Sequence, residues 1–281
     1  MQSEPRTPWW LWPNLLNIDS PLLALIWQEQ FARVVGVSLG WSDRALLFFC
    51  TWIVYYADRT MDAAELGEKT ETARHAIQRG RRDVWLGVSI GLLLLALGLA
   101  TVTLNARAWI GGGVLLGLTA VHFGVTHWWP SLRCRFWPKE WHVGLVFSLG
   151  CALQVWSVAP SNWSSLLLPV LGFGALCALS CSHITKWEQL ALDQNDPDSL
   201  LNSHPVFVRR LSWFGIALGL LALTAAVFGQ AAEQHAMVAV GLSALGLAWL
   251  DDRREKYSTE YLRIMADFGL YTPLLLFAFS G

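Results

Sequence analysis

The chain has 281 residues, of which 54% are hydrophobic and only 15% are charged, and its formal net charge is −1. A soluble globular protein of this length carries charge on about one residue in four, so the composition argues against a soluble globule. The absence of a net positive charge also argues against a nucleic-acid-binding protein, because such proteins concentrate positive charge.

Long apolar segments without Asp, Glu, Lys or Arg account for much of this composition. They cover residues 84–104, 108–132 and 141–185, and the sequence Ala-Pro-Ser-Asn at 159–162 interrupts the last of them. About twenty apolar residues are enough for a helix to cross the hydrocarbon core of a bilayer. The chain also has 17 tryptophans, many near the ends of these segments, and indole rings prefer the membrane interface. The sequence therefore predicts a polytopic integral membrane protein.

We predict an all-α fold with about nine transmembrane helices in one domain, residues 1–281. In chain order, the predicted helices cover residues 21–39, 42–63, 83–104, 106–128, 139–158, 163–192, 207–228, 233–250 and 260–279. Three consecutive glycines, residues 111–113, together with Gly117, predict a flat surface on the fourth helix for close contact with another helix.

The distribution of lysine and arginine predicts the orientation. All but three of the 20 basic residues lie in the N-terminal segment or close to the loops that follow the second, fourth, sixth and eighth predicted helices. The exceptions are Arg33, Arg44 and Arg107. Because cytoplasmic loops carry an excess of basic residues, we expect a cytoplasmic N-terminus, an external C-terminus and a location in a plasma membrane of the bacterial inner-membrane type.

Two aspartates near the end of the second predicted helix are the first candidate site. Asp58 and Asp62 are four residues apart, so both carboxylates lie on one helical face. Mg²⁺ is commonly bound by one or two carboxylates, several waters and a substrate phosphate. Taken alone, the pair is equally consistent with a solvated helix end.

A second polar cluster lies at the corresponding end of the sixth predicted helix. It contains Lys186, Glu188 and Asp193, and Pro197 predicts that the helix ends nearby. The alternative is an acidic loop balanced by basic neighbours. Because both clusters are predicted on the same side of the membrane, Asp58, Asp62, Glu188 and Asp193 are candidate Mg²⁺ ligands. Arg74, Lys139 and Lys186 are candidates for binding a diphosphate by charge and position.

The nine helices and the two acidic clusters resemble the UbiA superfamily of intramembrane prenyltransferases. The segment Pro138-Lys139-Glu140-Trp141-His142-Val143-Gly144-Leu145 is also similar to that family's basic residue and following glycine. The resemblance implies a central cavity open to lipid, with Mg²⁺ as the cofactor and an isoprenoid diphosphate or other lipid as the substrate. The expected reaction is transfer of a prenyl group from the diphosphate to an acceptor.

The two motifs differ from the family pattern in ways that keep a second function open. Val54 and Tyr55 occupy the positions of the asparagine and first aspartate of the first motif, and Leu192 stands four residues after Glu188, where the second motif repeats an acid. These differences favour a non-catalytic UbiA-like membrane protein that binds a lipid or acts as a partner subunit. The two surviving acidic clusters favour the enzyme.

Two further acidic positions are relevant to function. Asp267 lies within the ninth predicted helix, where an ionisable side chain marks a functional site by default. It also has two plainer explanations, since it is close to the cytoplasmic end and stands four residues after Arg263. The sequence Asp251-Asp252-Arg253-Arg254 is interpreted as a solvated turn.

Overall fold

A computed structural model of the chain describes residues 12–66, 82–129, 139–192 and 204–277, and all the regular structure among them is helical. This confirms the all-α class for the described residues. The α-helices are α1 (Trp12–Leu15), α2 (Asp19–Val34), α3 (Trp41–Leu66), α4 (Arg82–Thr103), α5 (Ala106–Phe123), α6 (Lys139–Val158), α7 (Trp163–Leu192), α8 (Pro205–Arg209), α9 (Leu211–Phe228), α10 (Ala231–Asp252), α11 (Thr259–Gly269) and α12 (Pro273–Phe277). A π-helical segment, Gly124–Trp128, extends α5, and 3₁₀ turns form at Pro160–Asn162 and Arg254–Lys256.

Five helical segments of the described chain are long and apolar enough to cross a membrane. They are Val84–Thr103, Ala106–Trp128, Lys139–Val158, Pro160–Ala191 and Leu211–Phe228. Large apolar side chains on these segments are exposed, including Val102, Ile110 and Leu221. Extended apolar surface of this kind marks a membrane or protein contact rather than a water-facing surface, which is consistent with an integral membrane protein.

The chain divides into two compact units. Unit 1 contains Met1–Leu25 and Trp41–Thr103, and unit 2 contains Ile26–Gly40 and Leu104–Gly281. The prediction of one transmembrane domain stays a prediction.

An aromatic cluster packs α3 against α4 in unit 1. Trp52 and Tyr56, four residues apart on α3, stack with ring centroids 5.4 Å apart and an interplanar angle of 7°. Trp85 of α4 lies 6.1 Å from Trp52 and 6.4 Å from Tyr56, centroid to centroid. The Trp52 indole N–H also donates a hydrogen bond to the carbonyl of Leu16 at 3.1 Å. These contacts join α3 to α4 and to the segment that follows α1.

The first predicted helix ends earlier in the structure than expected, because residues 35–39 are not helical. Gly36 adopts a φ of +69°. Its N–H donates to the carbonyl of Arg33 at 3.2 Å, and the N–H of Val37 donates to the carbonyl of Ala32 at 3.0 Å. These two bonds form a Schellman motif, in which a left-handed residue closes the helix and satisfies its last carbonyls.

The ninth predicted helix is not continuous. Helix α11 ends at Gly269, and α12 begins at Pro273 after a short turn. Proline has no backbone N–H to continue the helical hydrogen bonds, and its ring disfavours helical geometry at the preceding residue. The sequence therefore contained the reason for this break. The predicted last residues of this helix, 278 and 279, lie outside the described part of the chain.

Close helix contacts in unit 2 depend on glycine. A Cβ built on Gly144 of α6 would collide with the carbonyl oxygen of Gly174 and lie 2.8 Å from the backbone nitrogen of Ala178, both on α7. Helices α9 and α10 approach in the same way, because a Cβ on Gly219 or on Gly241 would lie 3.2 Å from the other's carbonyl oxygen. Glycine lets helix backbones approach this closely because it has no side chain.

The predicted glycine surface on α5 forms a helix contact at one of its residues. A Cβ on Gly111 would collide with Leu153 of α6, and one on Gly112 would be 3.9 Å from the same side chain. A Cβ on Gly113 or Gly117 would meet nothing within 4 Å. The close contact predicted from the glycine run is therefore limited to its first residues.

Candidate functional site

The predicted site residues fall in both units and partly outside the described chain. Asp58 is a half-buried residue of α3 in unit 1. Lys139 is the first residue of α6, and Lys186 and Glu188 lie near the end of α7, all in unit 2. The remaining three predicted residues are Arg74 and Asp193, which lie outside the described residues, and Asp62, which belongs to α3 but has a side chain that is not described.

The end of α7 is held by a buried carboxylate on α10. Lys186 Nζ donates to both carboxylate oxygens of Asp251, at 3.0 Å and 2.7 Å, and Trp187 Nε1 donates to Oδ1 at 2.8 Å. The Ser212 hydroxyl of α9 donates to Oδ2. Asp251 is only 1% exposed. Three helices therefore meet on one carboxylate whose hydrogen-bonding capacity is well satisfied, as a buried charge requires.

The interpretation of residues 251–254 as a solvated turn is wrong for Asp251. Its neighbour Asp252 is exposed, so the two consecutive aspartates have opposite environments. Both residues close α10, and the direction in which that helix faces α7 and α9 decides which carboxylate is buried. The only sequence signal was an acidic residue at the very end of an apolar segment, with the candidate partner Lys186 65 residues away.

The hydrogen bonds around Asp251 control its ionisation. Asp251 lies beyond the five candidate spans and one residue after the predicted helix 233–250. Burial by itself would raise the pKa of this carboxyl group, but hydrogen bonds from Lys186, Ser212 and Trp187 outweigh burial and hold the pKa below its ordinary value. The carboxylate is therefore ionised at neutral pH and matches the charge of Lys186.

Glu188 is paired with a basic residue of α11. Arg263 Nη1 lies 3.2 Å from Glu188 Oε1, and the side chains are 10% and 35% exposed, respectively. One predicted metal ligand and one predicted diphosphate-binding residue of α7 thus each contact a charge of opposite sign in unit 2. Arg263 contacts Glu188, which the sequence did not predict, and its proposed pairing with Asp267 stays a prediction.

The residue after Asp58 has a structural role in unit 1. Arg59 is 6% exposed. Its guanidinium donates to the Asn14 carbonyl at 2.8 Å, to the Asn17 side chain and to the Tyr55 hydroxyl at 2.7 Å. It also lies 4.2 Å from the centroid of the Tyr55 ring. Arg59 therefore ties the N-terminal segment to α3 rather than lying in a solvated loop.

We expect replacement of Arg59 by methionine to lower the free energy of unfolding by about 2–4 kcal/mol, because it leaves buried oxygens of Asn14 and Asn17 without their donor. Titration of the purified protein with a denaturing detergent, followed by circular dichroism, measures the change. Arg107→Met is the control, since Arg107 is exposed at the start of α5. An equal loss in both variants would show that the buried hydrogen bonds do not stabilise the fold.

The described side chains do not by themselves fit a Mg²⁺ site. Within residues 12–66, 82–129, 139–192 and 204–277, no three His, Cys, Asp or Glu side chains that could hold a metal ion lie together. Of the four predicted ligands, Asp58 and Glu188 have described side chains, and the Glu188 carboxylate contacts Arg263. We therefore derive no catalytic step through a metal ion.

Comparison with known proteins gives no family for the chain. No family model, curated protein or solved structure matches it.

Proposed function

We propose that this chain is a UbiA-like integral membrane prenyltransferase that binds an isoprenoid diphosphate with Mg²⁺ and transfers its prenyl group to an acceptor. The proposal includes nine membrane-spanning segments, with α11 and α12 together forming the ninth, a cytoplasmic N-terminus and a location in a bacterial inner membrane. It keeps Asp58, Asp62, Glu188 and Asp193 as metal ligands, and Arg74, Lys139 and Lys186 as diphosphate-binding residues.

The observation that carries the proposal is the concentration of ionic side chains at the end of the membrane-length helix α7. Lys186 and Glu188 of α7 lie there with Asp251 and Arg263 from two other helices. A prenyl diphosphate has a highly charged head and an apolar chain, so it suits a place where an apolar helix ends in charged groups. Arg263 contacts only one Glu188 oxygen at 3.2 Å, and a phosphate would offer its guanidinium a better, bidentate partner.

The reaction requires a diphosphate leaving group to be stabilised. The bond between the first prenyl carbon and the diphosphate oxygen breaks, and the diphosphate leaves with the electron pair. The acceptor then bonds to that carbon and loses a proton. Cationic side chains such as Lys186 stabilise the charge that develops on the leaving group, while apolar helix surface keeps water from the cationic prenyl chain.

Binding of an isoprenoid diphosphate to the purified protein, with and without Mg²⁺, tests this function. We expect Asp58→Ala and Asp62→Ala each to abolish Mg²⁺-dependent binding. Asp43→Ala is the matched control, because Asp43 lies in the first turn of the same helix and should leave binding unchanged. Retained binding in both Asp58→Ala and Asp62→Ala would remove the proposed metal site.

A non-catalytic lipid-binding protein is the second candidate, and the ion pairs of α7 favour it. Lys186 already contacts Asp251, and Glu188 already contacts Arg263, so both candidate residues have charged partners within the fold. Such a protein would bind the diphosphate without requiring Mg²⁺ and would release no free diphosphate in the presence of acceptors. Diphosphate release measured beside binding distinguishes the two functions.

A further inference from the structure

An apolar groove of about 620 Å³ lies in unit 2 between α6, α7 and α9. Its lining includes Leu145, Leu171, Ala175 and Ala217, and Ser148 and Ser182 are among its few polar residues. Both serine hydroxyls donate to carbonyls of their own helices, at 3.0 Å and 2.7 Å. The groove therefore offers a nearly continuous apolar surface to its occupant.

The groove is open to the side and has the length of one bilayer leaflet. Ala175 of α7 and Ala217 of α9 line it and are both exposed, and α6, α7 and α9 all belong to the five segments able to cross a membrane. On α7 the lining extends from position 171 to position 182, which is about 17 Å of helix. Half of a hydrocarbon core is about 15 Å thick, so the groove matches a lipid chain of one leaflet.

One end of the groove carries aromatic rings and two arginines. Phe207 lies 6.3 Å from Trp141 and 4.7 Å from Phe214, ring centroid to ring centroid, and all three line the groove. Arg209 and Arg210 lie between Phe207 and Phe214 in the sequence, at the junction of α8 and α9, and both are exposed. Neither arginine has an ion-pair partner among the described residues, in contrast to Lys186 and Arg263, which do.

We propose that this groove is a binding site for an anionic phospholipid of the surrounding bilayer. Its acyl chain lies along α7 between α6 and α9, and its phosphate contacts Arg209 and Arg210. Basic residues next to a crevice between transmembrane helices recognise anionic lipid headgroups in this way, and aromatic rings favour the headgroup level. The site is separate from the ionic cluster of Asp251 and Glu188, and it does not depend on the proposed transferase activity.

Native mass spectrometry of the protein in neutral detergent tests this site, with phosphatidylglycerol and phosphatidylcholine of identical chains as probes. We expect the wild type to bind phosphatidylglycerol more tightly. The double variant Arg209→Gln, Arg210→Gln should lose about thirtyfold in affinity for phosphatidylglycerol and bind both lipids equally. Ala217→Phe should weaken binding of both lipids, because the ring occupies the groove. If Ala217→Phe does not fold, Ala175→Phe on the facing helix blocks the same groove.

The matched controls change the same residue types elsewhere. Arg107→Gln removes an exposed arginine at the start of α5, where Asn105 contacts Ser157 at the far end of α6 from Trp141. Leu220→Phe adds a ring to exposed surface of α9 outside the groove lining. Both should bind phosphatidylglycerol as the wild type does. Equal affinity of the wild type for the two lipids, retained preference in the arginine variant, or displacement of phosphatidylglycerol by farnesyl diphosphate would overturn the proposal.

Discussion

Gly144→Ala is expected to destabilise the protein by about 2–3 kcal/mol. The new Cβ would collide with the carbonyl oxygen of Gly174 and lie 2.8 Å from the backbone nitrogen of Ala178. Backbone atoms cannot rotate away, so α6 and α7 must separate, and overpacking of this kind costs up to about 3 kcal/mol or more. The higher helix propensity of alanine returns up to about 1 kcal/mol of this loss. Unfolding of the purified protein by a denaturing detergent, followed by circular dichroism, measures the change.

Gly150→Ala is the control for this prediction. Gly150 lies on the same helix, and a Cβ there would meet nothing within 4 Å, so the variant should be as stable as the wild type or slightly more stable. Equal stability of Gly144→Ala and Gly150→Ala would contradict the close approach of α6 and α7. Because Gly144 belongs to the segment that resembles the UbiA family, the result also shows whether packing alone accounts for that glycine.

Replacement of Asp251 by asparagine is expected to lower the free energy of unfolding by about 3–5 kcal/mol. The change leaves the Lys186 ammonium, whose side chain is 11% exposed, without its counter-charge. Removal of one partner of a buried ion pair costs about this much because the remaining charge is uncompensated. The double variant Asp251→Leu, Lys186→Met should recover much of the loss, since it removes both charges.

Asp252→Asn is the matched control, because Asp252 is the next residue of α10 and is exposed. We expect it to change stability by less than about 0.5 kcal/mol. The pKa of Asp251 is lowered from 3.8 in the folded protein, so its stabilising contribution is present above pH 3.8 and is lost as the pH falls through the lowered value. In Asp251→Asn this part of the acid sensitivity should disappear. Similar stability of the two asparagine variants would contradict the buried ion pair.

Much of the helical structure could be predicted from the sequence. Two predicted helices, 139–158 and 163–192, have the same bounds as α6 and α7. The reason is physical, because a long apolar segment in a bilayer must satisfy its backbone hydrogen bonds internally and therefore forms a helix. The short helices gave poorer results, since a single glycine or proline ends them, as Gly36 ends α2 and Pro273 separates α12 from α11.

The candidate site was only partly predictable. The sequence indicated that Lys186 and Glu188 lie at a helix end, but it did not indicate their partners, which are 65 and 75 residues away. Arg59 was counted among basic residues of a solvated region, and its burial depends on the turn around Asn14 and Asn17. Partner choice between distant segments depends on how the helices are rotated against each other, and apolar content does not encode that rotation.

The amino-acid sequence by itself determined the all-helical class and the positions of the long apolar helices, because apolar length and backbone hydrogen bonding are local properties. Only the tertiary structure decided which of two neighbouring aspartates is buried, which glycines carry helix contacts, and which arginines remain without a partner next to a groove. Each of these outcomes depends on which face of a helix meets its neighbour, and that choice minimises the energy of the whole packed unit rather than that of any one segment.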